Sequence, residues 1–114
     1  MHRRGDFETA VRQGRRGAAR RLVVHLAGRP GPDVPPRPAA VGFVVSRAVG
    51  GAIERNRVKR RLRALMAAHL AELPDGALVV VRALPAAAGS RSAELGGDLS
   101  DALRAAARPR RGAA

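Results

Sequence analysis

The chain has 114 residues and a net charge of +13, from 22 Lys and Arg against 9 Asp and Glu. That length fits one compact domain, and that charge calls for a polyanionic partner, nucleic acid before an anionic membrane surface. The absence of cysteine excludes disulfides, thiolate catalysis and thiolate-bound zinc. No apolar run reaches the roughly 18–20 residues of a membrane-spanning helix, and no signal peptide precedes the fold, so a cytoplasmic location is the default expectation.

In chain order, Phe7 and Val11 stand four residues apart behind Asp6, with Gly14 as a stop, and predict a short helix over 6–13. Arg15 to Arg21 reads as a basic connector. Residues 21–27 (Arg-Leu-Val-Val-His-Leu-Ala) read as a strand. The five prolines between Pro30 and Pro38 force a loop, and 39–46 form a second strand, the two suiting a wide antiparallel hairpin. From Ala52 to Leu70 the pattern turns helical. Val58, Leu62, Leu65, Met66 and His69 fall on one stripe, with Arg57, Arg60, Arg61 and Arg63 outside it. Pro74-Asp75-Gly76 marks a turn. Residues 77–83 are a continuous apolar strand, and Leu95, Leu99, Leu103 and Ala106 define a last helix capped by Ser90 or Ser92. The result is an α+β fold, a small two-layer sandwich of α-β-β-α-β-α order with helices packed on a mixed, mainly antiparallel sheet. Residues 1–108 form the one domain and 109–114 a flexible basic tail.

The chemistry concentrates in Arg55-Asn56-Arg57-Val58-Lys59-Arg60-Arg61-Leu62-Arg63, where seven of nine residues are basic or amide. So many like charges on about two and a half turns repel one another. Phosphates remove that cost and release counterions as they bind. Arginine adds planar bidentate donors, and Asn56 a neutral donor and acceptor. A solvated basic face without a partner is the bland alternative; the net charge and the local density both oppose it. Arg55 lies beside the apolar stripe and serves the fold as much as a ligand. Arginine covers too wide an arc, without Trp, for an interfacial membrane helix. Gly50 and Gly51 permit a tight turn before this helix, whose free N–H groups favour anions. His2, His25 and His69 are scattered without metal-ligand spacing, Ser46 has no paired base, and the acids are dispersed, so the chain alone lacks the groups of a nuclease.

The stretch Gly42-Phe43-x-Val45-Ser46-Arg47-x-x-Gly50-x-Ala52-x-x-Arg55-Asn56-Arg57-x-Lys59-Arg60-Arg61-x-Arg63 closely resembles the bacterial ribonuclease P protein subunit, and the resemblance spans roughly residues 3–107. It implies a ribosomal-protein-like fold with a left-handed β-α-β crossover, where physics alone predicts a right-handed one. It implies a catalytic RNA partner, one protein per RNA. That RNA, with bound Mg2+, removes the 5′ leader of precursor tRNA, while the protein contributes no catalytic residue. By position, Arg55, Asn56, Arg57, Lys59, Arg60, Arg61 and Arg63 are expected to face the catalytic RNA, with Ser46 and Arg47 near it or near the leader. Phe7, Val11 and Phe43 are expected to border a leader cleft between the first helix and the sheet. Ala48 stands where the family has a lysine, Gly51 where it has Asn, and Val11 where a second aromatic is common. With two Phe and no Tyr, the cleft depends more on Arg–phosphate contact than on stacking. Few residues precede Phe7, which points to a missing N-terminal extension or an alternative start. The reading from another class is a non-catalytic basic RNA-binding module such as a ribosomal protein.

Overall fold

A computed structural model describes residues 14–27, 38–74 and 76–107. The predicted helix over 6–13, with Phe7 and Val11, and the basic tail lie outside the described residues. The elements are β1 (Arg15–Ala18), β2 (Leu22–Ala27), β3 (Ala40–Val44), α1 (Ala52–Ala67), β4 (Leu78–Ala83) and α2 (Ser92–Ala107). Single 3-10 turns occur at Leu70–Glu72 and Pro85–Ala87. The four strands form one mixed sheet in the order β1-β2-β4-β3. β1 and β4 each run antiparallel to β2, and β3 runs parallel to β4.

The position of β4 follows from its composition. Val79, Val80 and Val81 are all buried, so both faces of the strand need cover, which a central strand receives. β4 therefore inserts between β2 and β3, and the expected β2–β3 hairpin does not form. Ala27 and Ala40 both pair with Leu78, one from each side. Two strand spacings, about 9.5 Å, separate them. A parallel β3–β4 pair needs a long crossover, and α1 supplies it.

Both helices cover one face. Leu22, Val24, Val79, Val81 and Ala83 meet Val58, Leu62 and Met66 of α1 and Leu95, Leu99, Ala102, Leu103 and Ala106 of α2 in a single core. Where the helices approach each other, a Cβ on Gly96 would sit 3.2 Å from Leu65 Cδ2. The opposite sheet face carries a smaller apolar cluster of Ala27 and Val80, with Val44 and Leu78 against it.

The segment read as a basic connector holds β1. Its sequence, Arg-Arg-Gly-Ala, has no apolar alternation, and pairing with β2 plus docking under α2 make it a strand. Gly17 is the reason the docking works: a Cβ there would overlap the Ala102 carbonyl oxygen and stand 2.6 Å from Ala106 N. Arg21 locks the β1–β2 turn to α2, since Asp98 accepts its backbone N–H at 3.0 Å and its guanidinium at 3.3 Å, and Glu94 accepts the guanidinium at 2.9 Å.

Two helix ends differ from expectation. α1 stops at Ala67 rather than Leu70, because Ala68 and His69 bond back to Leu65 and Met66 and a 3-10 turn follows. Neither serine caps α2. Ser90 is buried with its hydroxyl donating to the Ala86 carbonyl, and Glu94 instead reaches back to accept the Arg91 N–H at 2.9 Å. That is one half of a capping box.

Gly17→Ala is expected to lower stability by about 1–3 kcal/mol through overpacking. Gly97→Ala, on the same sheet-docked helix but with open space around its Cβ, is expected to raise it by about 0.5–1 kcal/mol. Midpoints of urea unfolding check both signs.

Candidate nucleic-acid interface

The signature helix begins at a tight turn. Val49 N–H donates to the Ser46 carbonyl at 3.0 Å and Gly50 N–H to the Arg47 carbonyl at 3.2 Å. Val49 is buried and anchors the turn, which leaves Ser46 and Arg47 exposed beside the start of α1. Gly50 has φ of 155°, a value glycine tolerates best. Gly51 precedes the helix without a side-chain cap, so the first-turn N–H groups face outward beside the basic residues.

Burial of Val58, Leu62 and Met66 sorts the seven signature side chains into three groups. Arg55 precedes Val58 by one turn, on the core-facing stripe, and its Nε is buried with no hydrogen-bond partner among the described residues. Arg57 and Arg61 share the flank toward α2. Arg57 pairs with Glu54 at 3.1 Å, and Glu54 also accepts the Gly89 N–H at 3.1 Å. Arg61 donates to the Ser90 carbonyl, which ties α1 to the turn before α2. Asn56, Lys59, Arg60 and Arg63 lie outward and toward β3, at helical spacings of three and four residues. None of these four has a hydrogen bond or ion pair among the described residues. The sequence stretch thus yields one flank built into the protein and one flank, the free flank, whose donors have no partner among the described residues.

Phe43 does not stand on the far sheet face. It packs with Val41 against the helix-side core and lines a hollow of about 180 Å³ with Arg63, Met66, Ala67 and Leu70. Phe43 therefore adjoins the free flank of α1. Phe7 and Val11 are not among the described residues, so their relation to it is not described.

A second basic surface was not singled out from the sequence. Arg16 pairs with His25 across β1 and β2, while Val23 pairs with Arg82 across β2 and β4. Alternation puts Arg16, His25 and Arg82 on the sheet face away from the helices. The signal was present only as isolated basic residues in strands, and the pairing register brings them together. Burial, then Arg16 and Arg82, hold the His25 imidazole below its ordinary value of 6.5. At the other end of the helix layer, His69 Nδ1 lies 3.0 Å from Glu72 Oε2 and Ser100 Oγ lies 3.4 Å from His69 Nε2. His69 thus joins the end of α1 to α2, consistent with its place on the apolar stripe.

Every described carboxylate has a donor. Glu54, Glu94 and Asp98 hold N–H or guanidinium groups, Glu72 holds His69, and Asp101 lies 3.8 Å from Arg104. Among the described residues no cluster of three or more His, Asp or Glu offers a metal site, and no helix is long and apolar enough to cross a membrane.

Arg61→Ala is expected to lower stability by about 1 kcal/mol, the scale of one hydrogen bond, and Arg60→Ala to leave it unchanged; thermal melts of the two variants check the division of the helix. Because the unfolded chain protonates His25 first, stability is expected to fall as pH drops below 6.5, and to be insensitive to this group above it. His25→Gln is expected to flatten that part of the stability–pH curve.

Residues 1–107 match the family model described as Ribonuclease P. The chain is 55% identical over 109 residues to the ribonuclease P protein component of Streptomyces avermitilis, covering 90% of this chain and 87% of that one. It is 51% identical over 116 residues to the same component of Thermobifida fusca, covering 96% and 77%. Among solved structures, the ribonuclease P protein of Staphylococcus aureus superposes with a TM-score of 0.79 at 22% identity over 94% of each chain. Fold, signature helix and sequence relatives agree: this chain belongs to the ribonuclease P protein family, the protein component of that endoribonuclease.

Proposed function

We propose that the free flank of α1 docks on the catalytic RNA subunit of ribonuclease P, one protein per RNA, and that this RNA cleaves the 5′ leader from precursor tRNA. The observation that carries the reading is the row Asn56, Lys59, Arg60 and Arg63, four signature side chains held outward with no partner among the described residues. Internal ion pairs neutralise Arg57 and Arg21, but nothing described neutralises this row, and phosphates do so with release of counterions. Ser46 and Arg47, exposed at the start of the same helix, extend it toward an anion. Arg57 and Arg61 are given a supporting role, holding α1 to the turn before α2. Arg55 is given a place at the base of the helix rather than on the RNA.

The leader is assigned to the sheet face opposite the helices, where Arg16, His25 and Arg82 stand among Val23, Val44 and Val80. Phe7 and Val11, which lie outside the described residues, are assigned to leader contact, and Phe43 to the RNA side. Aliphatic walls with two guanidinium cations and a neutral imidazole suit a phosphate backbone better than stacked bases. Mg2+ is assigned to the RNA, since the described carboxylates already hold donors of the protein. The protein's part is to bind, orient and screen charge, and no proton transfer is assigned to its side chains.

Reconstitution tests the reading. At low Mg2+ the protein alone is expected to leave precursor tRNA intact, and addition of a matching RNA subunit to restore 5′ maturation. Binding without restored cleavage would instead identify a ribosomal-type RNA-binding module. The double variant Arg60→Ala, Arg63→Ala is expected to weaken RNA-subunit binding and to lower the slope of log affinity against log salt by about 0.7–0.9 per lost phosphate contact. An unchanged slope would remove α1 from the interface.

A further inference from the structure

The free flank of α1 ends in an apolar hollow that electrostatics does not explain. Val41, Phe43, Met66, Ala67 and Leu70 line it, and Arg63 stands at its rim. Its volume is about 180 Å³, below the roughly 300–1,000 Å³ of cavities that hold metabolites or cofactors. It has room for one flat heteroaromatic ring. Leu70 is 49% exposed, one of two large apolar side chains so exposed among the described residues. A single exposed leucine is ordinary on a protein surface, and it becomes informative when it adjoins an apolar hollow and a binding row.

The hollow continues that row. Asn56, Lys59 and Arg63 climb the β3-facing side of α1 at spacings of three and four residues, and Leu70, in the 3-10 turn after the helix, lines the hollow together with Arg63. Cations that hold a phosphate backbone therefore lead directly to an apolar seat, with the Arg63 guanidinium between them. Single-stranded or bulged RNA presents this pairing of a charged backbone with an unstacked ring. A neutral peptide side chain or alkyl chain would fill the hollow but would gain nothing from the adjoining cations.

We propose that this hollow is a nucleobase seat: it takes one unpaired base of the RNA subunit against Phe43 and Leu70 while Arg63 holds the adjacent phosphate. The proposal rests on docking of α1 on that RNA and adds an apolar, salt-insensitive contact to it. Phe43 thereby keeps a role in RNA contact, on the helix side of the sheet.

The test uses the full chain and the transcribed RNA subunit, with binding measured over a series of salt concentrations. Leu70→Ser removes the exposed wall without touching the buried core, so circular dichroism melts are expected to match wild type. RNA affinity is expected to fall about fivefold to tenfold, the lower end of the range for one base contact, with the salt slope unchanged. Leu70→Phe is expected to keep or raise affinity. Arg63→Ala is expected to lower both affinity and slope, as a phosphate contact does. Wild-type affinity for Leu70→Ser at every salt concentration overturns the seat. So does a loss of slope in Leu70→Ser, because the leucine would then act only by positioning Arg63. If Arg60→Ala and Arg63→Ala also leave affinity and slope untouched, the fault lies in the docking of α1 itself, and the seat falls with it.

Discussion

Burial of Val58, Leu62 and Met66 against the sheet is the contact on which the rest of the molecule depends. Those side chains sit at the centre of a core shared by both helices and three strands. Once they are seated, the rotation of α1 about its axis is set, and with it the direction of every charged side chain on the helix. A helix with seven polar or cationic groups in nine residues would otherwise present charge all round. The sheet turns that ring of charge into two flanks: one side bonds to Glu54 and Ser90, the other has no side-chain bond among the described residues.

The same docking explains how a chain at +13 stays folded with so few aromatic side chains. The helices spend their few acids on holding the architecture. Asp98 and Glu94 fix Arg21 at the β1–β2 turn, and Glu54 fixes the turn before α2. With Arg20 and Arg91 exposed elsewhere, the cations without an ion pair among the described residues include the row on the outer side of α1 and Arg16 and Arg82 on the far face of the sheet. Mutual repulsion there is a standing cost to the free protein, and a polyanion relieves it. Any polyanion that binds the folded chain there stabilises it by the same linkage.

Close backbone approach is the second constraint. β1 has almost no side-chain reason to be a strand, yet Gly17 lets α2 settle onto it and Gly96 lets α1 and α2 meet beside Leu65. In a core without Tyr or Trp, tight contact of small residues replaces the area that aromatic side chains would have buried. α2 reflects this economy, since two of its five buried residues are alanine.

Much of this was legible in the order of residues. Hydrophobic period separated the helices at 52–67 and 92–107 from the strands at 22–27, 40–44 and 78–83 to within a few residues. The run from Gly42 to Arg63 carried enough matched positions to identify the family. What the order of residues left open depends on pairing and rotation. Arg15 to Ala18 looks like connector because an edge strand docked through glycine has no periodic apolar signal. The β2–β3 hairpin looked natural because the two segments are neighbours in sequence, but a strand apolar on both faces took the place between them. Local pattern reports whether a segment has a buried side. Which neighbour buries it, and therefore which of Arg57, Arg60, Arg61 and Arg63 stay free, is decided only when segments far apart in the chain compete for the same core.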